Sequence, residues 1–140
     1  MAQTLSALGS EAAWLVHGHD GTDELSIAGP SNVVTLYRGR IETMEITPED
    51  AGLPRHPFEQ LIGGTPEHNA VELRRIFAGQ GGAYRDAVLL NAAAALLMAE
   101  NVGSLAEGVE RAAQNLDNGR AQATLEALAA FTSTRQNDLV

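Results

Sequence analysis

Eight consecutive positions, HGHDGTDE at residues 17–24, hold two histidines, two glycines and three acids directly behind an apolar run. Asp23 and Glu24, adjacent on a glycine turn, are hard oxygen donors of the kind that hold Mg²⁺ partly through water and partly through a substrate phosphate. His17 and His19 lie at alternate positions with Asp20 nearby, a spacing that also fits a transition metal. A solvated loop accounts for the same residues without any ligand, with His17 ending a strand by hydrogen-bonding a neighbouring loop. The residue types leave all three readings open.

Other positions offer less chemistry. Gly63-Gly64-Thr65-Pro66 opens a helix whose free N–H groups suit an anion, but capping by Thr65 explains the same residues. Asn69 and Asn91 are polar positions on otherwise packed helices. A buried amide must be hydrogen-bonded, so each is expected to bridge a loop to a helix. The sequence has no nucleophile elbow, no GxxxxGK[ST] or GxGxxG phosphate loop, and no carboxylate pair set across an evident cleft. No catalytic residue is assigned.

The elements that must position these groups follow from periodicity. Residues 12–16 are a short apolar run of the kind expected for a strand covered on both faces, broken by Gly18 and Gly21. The acids then lie just past the carboxyl end of a strand, where open α/β sheets bind their ligands. Residues 33–46, VVTLYRGRIETMEI, predict a half-exposed hairpin turned at Arg38-Gly39-Arg40. Thr47-Pro48-Glu49-Asp50 predicts one or two helical turns, closed by Gly52 and Pro54. Thr65-Pro66-Glu67 starts a longer helix with Ala70, Leu73 and Phe77 on its inner face and Gly79 as its stop. Residues 84–100 are largely apolar and mostly Ala, Leu or Met, which predicts a central helix buried all round. Ser104-Leu105-Ala106-Glu107 is a capping box ahead of Leu105, Val109, Ala112 and Leu116. A last helix begins near Gly119 and carries Leu125, Leu128 and Phe131, and the tail STRQNDLV is expected to fray.

The totals narrow the partners. A chain of 140 residues suits one domain, and 44% apolar with 19% charged residues is a globular composition. The net charge of −9 repels a phosphate backbone, so nucleic acid is not expected. There are no cysteines, which removes disulfides and thiolate metal sites. The first residues lack a basic leader with an apolar core, and no apolar run is long enough to span a bilayer, so a soluble cytoplasmic protein is expected.

The order WLVHGHDGTDELS, hairpin, TPEDAGL, LIGGTPEHNA, RDAVLLNAAAALLMA, SLAEGVERAAQNLDNGRA resembles the C-terminal portion of anthranilate phosphoribosyltransferases, over essentially the whole chain. The resemblance implies an α/β fold of the nucleoside phosphorylase and phosphoribosyltransferase type. Residues 1–140 would be one unit, the later part of the larger α/β domain: a few strands including a hairpin, then a helical second half. The family's N-terminal helical domain and the first part of its sheet would be absent. It further implies the transfer of phosphoribosyl from phosphoribosyl pyrophosphate (PRPP) to anthranilate with release of pyrophosphate, in tryptophan biosynthesis. The Asp-Glu pair of the family's DGxDE turn binds Mg²⁺, which carries over onto Asp23 and Glu24.

The family's GTGGD loop, its Lys-His-Gly-Asn-Arg segment and its anthranilate-contacting arginine lie upstream of the matching region and have no counterpart here. Substrate-binding residues are therefore expected outside this sequence, and the chain alone is expected to be inactive. A pyrimidine nucleoside phosphorylase relative and a non-catalytic module of the same fold remain the alternatives. The apolar strand at residues 12–16, without its neighbours, is expected to leave an edge through which the chain self-associates.

Overall fold

The computed structural model describes residues 1–136. Its elements run α1 (Ala2–Ala7), β1 (Ala12–Gly18), β2 (Ser31–Tyr37), β3 (Arg40–Ile46), two 3₁₀ turns (Pro48–Ala51 and Phe58–Leu61), α2 (Pro66–Phe77), α3 (Ala83–Met98), α4 (Leu105–Asp117) and α5 (Arg120–Gln136). This is the expected order of a small sheet followed by helices. Two short elements carry no signal in the periodicity: α1 and the turn at Phe58–Leu61.

The strands form one antiparallel sheet in the order β1-β2-β3. Trp14 stands opposite Thr35 and Val16 opposite Val33 in one ladder, Val33 opposite Met44 in the other. The hairpin is set by Arg38 (φ 49°) and Gly39 (φ 82°). Two left-handed residues in a two-residue loop match the twist of the strands they join, and glycine takes the second without strain. The Arg38 guanidinium lies 5.0 Å from the Tyr37 ring centroid, over its face.

β1 departs from its expectation. Ala13 to Val16 are half-buried rather than enclosed. The strand is the sheet's edge, with β2 on one side and no strand on the other among the described residues. A continuous apolar run reports the coverage a strand is made for, and these residues supply half of it.

The core forms where α3 lies between the sheet end and α4. Leu25, Ile27, Val33 and Ile46 from the strand half meet Leu89, Leu90 and Ala93 of α3, and Leu105, Ala112 and Leu116 of α4 close the far side. α3 is thus buried on two sides rather than all round: Val88 and Ala95 are exposed. Its apolar length exceeds the surface available to cover it. α2 buries Ile76 most deeply, while Leu73 stays exposed and Ala70 and Phe77 are half-buried. On α5, Leu125, Leu128 and Phe131 are exposed. Helix continues through Ser133–Gln136, where the sequence predicts fraying; the last four positions of that tail lie outside the described residues.

The caps read from sequence are in place. Asp50 accepts hydrogen bonds from the Thr47 N–H (2.8 Å) and hydroxyl (2.9 Å). Thr65 Oγ1 accepts from His68 N–H (3.3 Å), and Ser104 Oγ from Glu107 N–H (3.2 Å). Glu107 reaches back to the Gly103 N–H at 2.8 Å, one position before the box residue.

The α3–α4 crossing depends on Gly108. A Cβ there would lie 2.7 Å from Ala93 Cβ and 2.8 Å from Ala93 Cα, and Ala93 is fully buried on α3. Glycine inside a helix ordinarily costs roughly 0.5–1 kcal/mol relative to alanine. At this position the sign reverses, because the added methyl forces the helices apart. Gly108→Ala is expected to destabilise by about 1–3 kcal/mol, read as a lower urea midpoint. An unchanged or raised midpoint would show that the helix pair accommodates the methyl.

Candidate functional site

The turn after β1 is built around Asp20. Its Oδ1 accepts from the Thr22 N–H (3.1 Å) and hydroxyl (2.8 Å), and its Oδ2 from the Ser26 hydroxyl. Ser26 Oγ in turn accepts from Ala28 N–H (2.9 Å), and Ser26 N–H donates to Ser31 Oγ (2.8 Å) at the start of β2. Gly18 closes the loop from below, donating to Thr22 C=O at 2.9 Å. A side chain at Gly18 would meet Ser26 Cβ at 3.0 Å and come closer still to Thr22 Oγ1 and Asp20 Oδ1. Glycine is thus required there for space, and Gly21 (φ 95°) for its left-handed conformation.

The far end of the turn is held by α3. Asn91 Oδ1 accepts from Leu25 N–H (2.9 Å), and Asn91 Nδ2 donates to Leu25 C=O (3.0 Å) and to Ala87 C=O (3.0 Å). The expected bridge between loop and helix is therefore present. Asn69 does the same on α2: its side chain accepts from Gly64 N–H (2.8 Å) and donates to Gly64 C=O (3.3 Å). With Thr65 capping and Asn69 pairing, the Gly63–Gly64 segment has the capping role rather than that of a free anion cradle.

Between these fixed ends stand Asp23 and Glu24, both exposed. Among the described residues neither carboxylate enters a hydrogen bond or an ion pair. They border a cleft of about 270 Å³ whose other wall is Phe58, Leu61 and Ala87. Its floor is Leu25, Ser26 and Ile27, all buried.

The wall opposite the acids is pinned by residues the sequence did not mark. His56 N–H donates to Ile27 C=O at 3.0 Å, and His56 Nε2 lies 2.7 Å from Asp86 Oδ2. Both side chains are largely buried. Thirty residues separate the pair, so no local spacing points to it. Asp20-x-Thr22 was the more readable signal, because an aspartate binding the backbone two residues on is a recurrent turn device.

The two histidines of the opening stretch do not join the acids. His19 faces Glu45 on β3 at 3.6 Å, and His17 is exposed at the end of β1. Among the described residues no three His, Asp or Glu side chains stand together as a metal cage. Asp23 and Glu24 could therefore supply two oxygen donors, with the rest of a shell left to water and substrate. That division suits Mg²⁺, which keeps several waters, better than a cation needing an all-protein cage.

Residues 1–122 match the glycosyl transferase family, a/b domain, and the chain belongs to that family. It is 52% identical over 136 residues to the anthranilate phosphoribosyltransferase of Parvibaculum lavamentivorans, a match covering 97% of this chain and 40% of that protein. The crystal structure of anthranilate phosphoribosyltransferase from Thermus thermophilus has a TM-score of 0.81 and 41% identity, over 93% of this chain and 38% of that one. The enzyme of Saccharomyces cerevisiae, solved in complex with PRPP and Mg, has a TM-score of 0.79. At 23% identity, over 87% of this chain and 35% of that one, its likeness is one of fold alone. The chain thus spans about 40% of the length of the curated relatives it matches. No helix among the described residues is long and apolar enough to cross a membrane.

The scaffold of the turn carries a pH dependence. Partial burial opposes ionisation of Asp20, but the hydrogen bonds from Ser26 and Thr22 outweigh it and hold the carboxyl below its ordinary value of 3.8. A carboxyl depressed on folding adds stability that is fully present above its unfolded pKa and lost as pH falls through the folded one. The Thr22 amide should therefore lose hydrogen-exchange protection on acidification below about pH 4. In Asp20→Asn that acid-induced loss should shrink. An acid limb identical in both proteins would remove Asp20 as its cause.

Proposed function

We propose that this chain is the metal-holding part of an anthranilate phosphoribosyltransferase of tryptophan biosynthesis, working in the cytoplasm. Residues 1–140 correspond, in this reading, to the C-terminal part of the enzyme's α/β domain. Its helical domain and the first part of the sheet fall in the length that the relatives have beyond the match. Asp23 and Glu24 hold Mg²⁺ at the pyrophosphate of PRPP. One observation carries the assignment: two neighbouring carboxylates without partners among the described residues, on a turn anchored at both ends, in a sequence 52% identical to an enzyme of that name. The yeast enzyme of the same fold, solved with PRPP and Mg, is in keeping with it.

The chemistry asks little covalent work of these residues. Transfer at the anomeric carbon of ribose needs the departing pyrophosphate neutralised and the anthranilate amine held in line, so positioning and electrostatics carry the rate. Bound Mg²⁺ would supply the charge that neutralises the leaving group. Asp20 and Asn91 fix the backbone on either side of the two acids, which limits the reorganisation needed on binding. Phe58 and Leu61 give the cleft an apolar wall facing the acids. Groups that grip the ribose and the anthranilate ring come from the part of the enzyme that these residues do not include.

Loss of anthranilate fluorescence on adding PRPP and Mg²⁺ tests the reading. Activity is expected in the protein extended to its relatives' full length and is expected to be at background in the 140-residue chain. Absence of activity in both would favour a non-catalytic member of the family. In the active protein, Asp23→Asn and Glu24→Gln should each raise the Mg²⁺ concentration needed for half-maximal PRPP binding by about tenfold or more, as expected for loss of a charged ligand. Calorimetry of PRPP binding at several Mg²⁺ concentrations measures this directly. An unchanged Mg²⁺ dependence would remove these two residues from the site.

A further inference from the structure

The two sides of the acid cleft hang from one stretch of α3. On the acid side, Asn91 clamps both backbone groups of Leu25, the residue after Glu24. On the opposite side, His56 Nε2 lies 2.7 Å from Asp86 Oδ2, and a carboxylate only accepts, so Nε2 carries the proton of this bond. Among the described residues neither side chain has another hydrogen-bond or ion-pair partner. Asp86 and Asn91 stand on the same helix, roughly 7.5 Å apart along its axis, and Ala87 between them lines the cleft. His56 is also held from below, where its N–H donates to Ile27 C=O at 3.0 Å on the cleft floor. The residue before it, Arg55, pairs with Glu49 at 2.7 Å. The residue after it, Pro57, has its φ fixed by the ring and opens the 3₁₀ turn Phe58–Leu61, which Gln60 N–H closes on Pro57 C=O at 3.0 Å. Phe58 and Leu61 thus follow His56 with little freedom of their own.

We infer that His56 is a positioning residue for the substrate: with Asp86 it fixes the width of the cleft beside Asp23 and Glu24, and so the place left for the pyrophosphate of PRPP. This rests on the reading of the cleft as the site of Mg²⁺ and that pyrophosphate. A wall fixed on folding asks nothing of the substrate, whereas a wall free to move must be ordered as the substrate binds. That cost falls on the substrate complex and the transition state alike, so it raises KM and leaves kcat as it is. The metal is held from the other side by Asp23 and Glu24, which His56 does not touch. Cleft width, rather than metal affinity or the chemical step, is what the pair controls.

Steady-state kinetics of the protein extended to its relatives' full length test this. H56A should raise the KM for PRPP about tenfold, the scale of a hydrogen bond to a charged group, with kcat within about twofold of the parent. H56Q brings an amide N–H near the position of Nε2 and should return KM to within about threefold of the parent. H56N carries the same amide one methylene short of Asp86 and should behave like H56A, so the comparison of H56Q with H56N stands even where H56A fails to fold. D86A should match H56A, and the double variant H56A/D86A should be no worse than either, because all three remove one contact. With PRPP held well above its KM, the Mg²⁺ concentration for half-maximal rate should stay that of the parent, and far-UV dichroism should match throughout. An unchanged KM in H56A and H56N, a fall in kcat instead, additive effects in the double variant, or failure of H56Q to restore KM would each overturn the inference. Those outcomes, in a parent that turns over PRPP, remove His56 alone. A parent that neither binds nor turns over PRPP removes the reading of the cleft, and this inference with it.

Discussion

The fold turns on one amide. Asn91, on the most buried helix, holds both backbone groups of Leu25 across 66 residues of sequence. Leu25 is itself buried, so its N–H and C=O have no access to water and would cost about 1–3 kcal/mol each if left unpaired. The clamp therefore does two things at once. It brings the turn after β1 onto α3, and it makes that turn's far end as rigid as the helix. The core that forms beneath it, Leu25 and Ile27 against Leu90 and Ala93, depends on the same docking. α4 can then approach only because Gly108 lets it sit directly on Ala93.

The acids of the turn have two different physical roles, and the difference lies in where their oxygens point. Asp20 accepts three hydrogen bonds from its own loop, so its charge is already balanced by fixed donors and it serves as scaffold. Asp23 and Glu24 stand outside that network and keep their hydration. A carboxylate balanced by internal donors is a poor ligand for an incoming cation, because the bonds must break before the ligand forms. Two solvated carboxylates on a fixed backbone are ready donors, since their backbone order is established on folding. The histidines are kept apart from them by the sheet, with His19 drawn toward Glu45 on the third strand.

Much of this was legible in the residues, and what was not has a common cause. Signals confined to a few neighbours were read correctly: the Arg38-Gly39 hairpin, the caps at Thr47, Thr65 and Ser104, and the helices behind them. The bridging roles of Asn69 and Asn91 were expected from the rule that buried amides are paired; Asn91 is half-buried, whereas Asn69 is exposed and pairs with Gly64 at the surface. Errors arose where hydrophobicity was converted into burial. The run at residues 12–16 and the helix at Ala83–Met98 are mainly apolar, yet each is covered on only part of its surface. Hydrophobic pattern records what a segment is suited to contact, and the matched relatives are about two and a half times as long as this chain. His56–Asp86 was invisible for the opposite reason. It joins two segments by a single long-range contact that leaves no periodicity in either.

The distribution of charge over the sheet follows from the same reasoning. β3 faces solvent with Arg40, Glu42 and Glu45 exposed, and Arg40 and Glu42 pair with each other on its surface. Such an edge needs no further strand, because its side chains are already hydrated and would lose that hydration on pairing. β1 has the reverse character: among the described residues no strand lies on its outer side, and apolar side chains and a groove border it. Backbone groups on such a side could be met by water, whereas Trp14, Val16 and Met98 could not. The apolar surface thus favours covering the edge, while the backbone hydrogen bonds fix the direction and register of whatever covers it. The edge that favours coverage is also the strand that delivers the chain into the acid turn. Gly18 lies at the junction, hydrogen-bonded to Thr22 and leaving no space for a side chain, so the turn begins where the free edge stops.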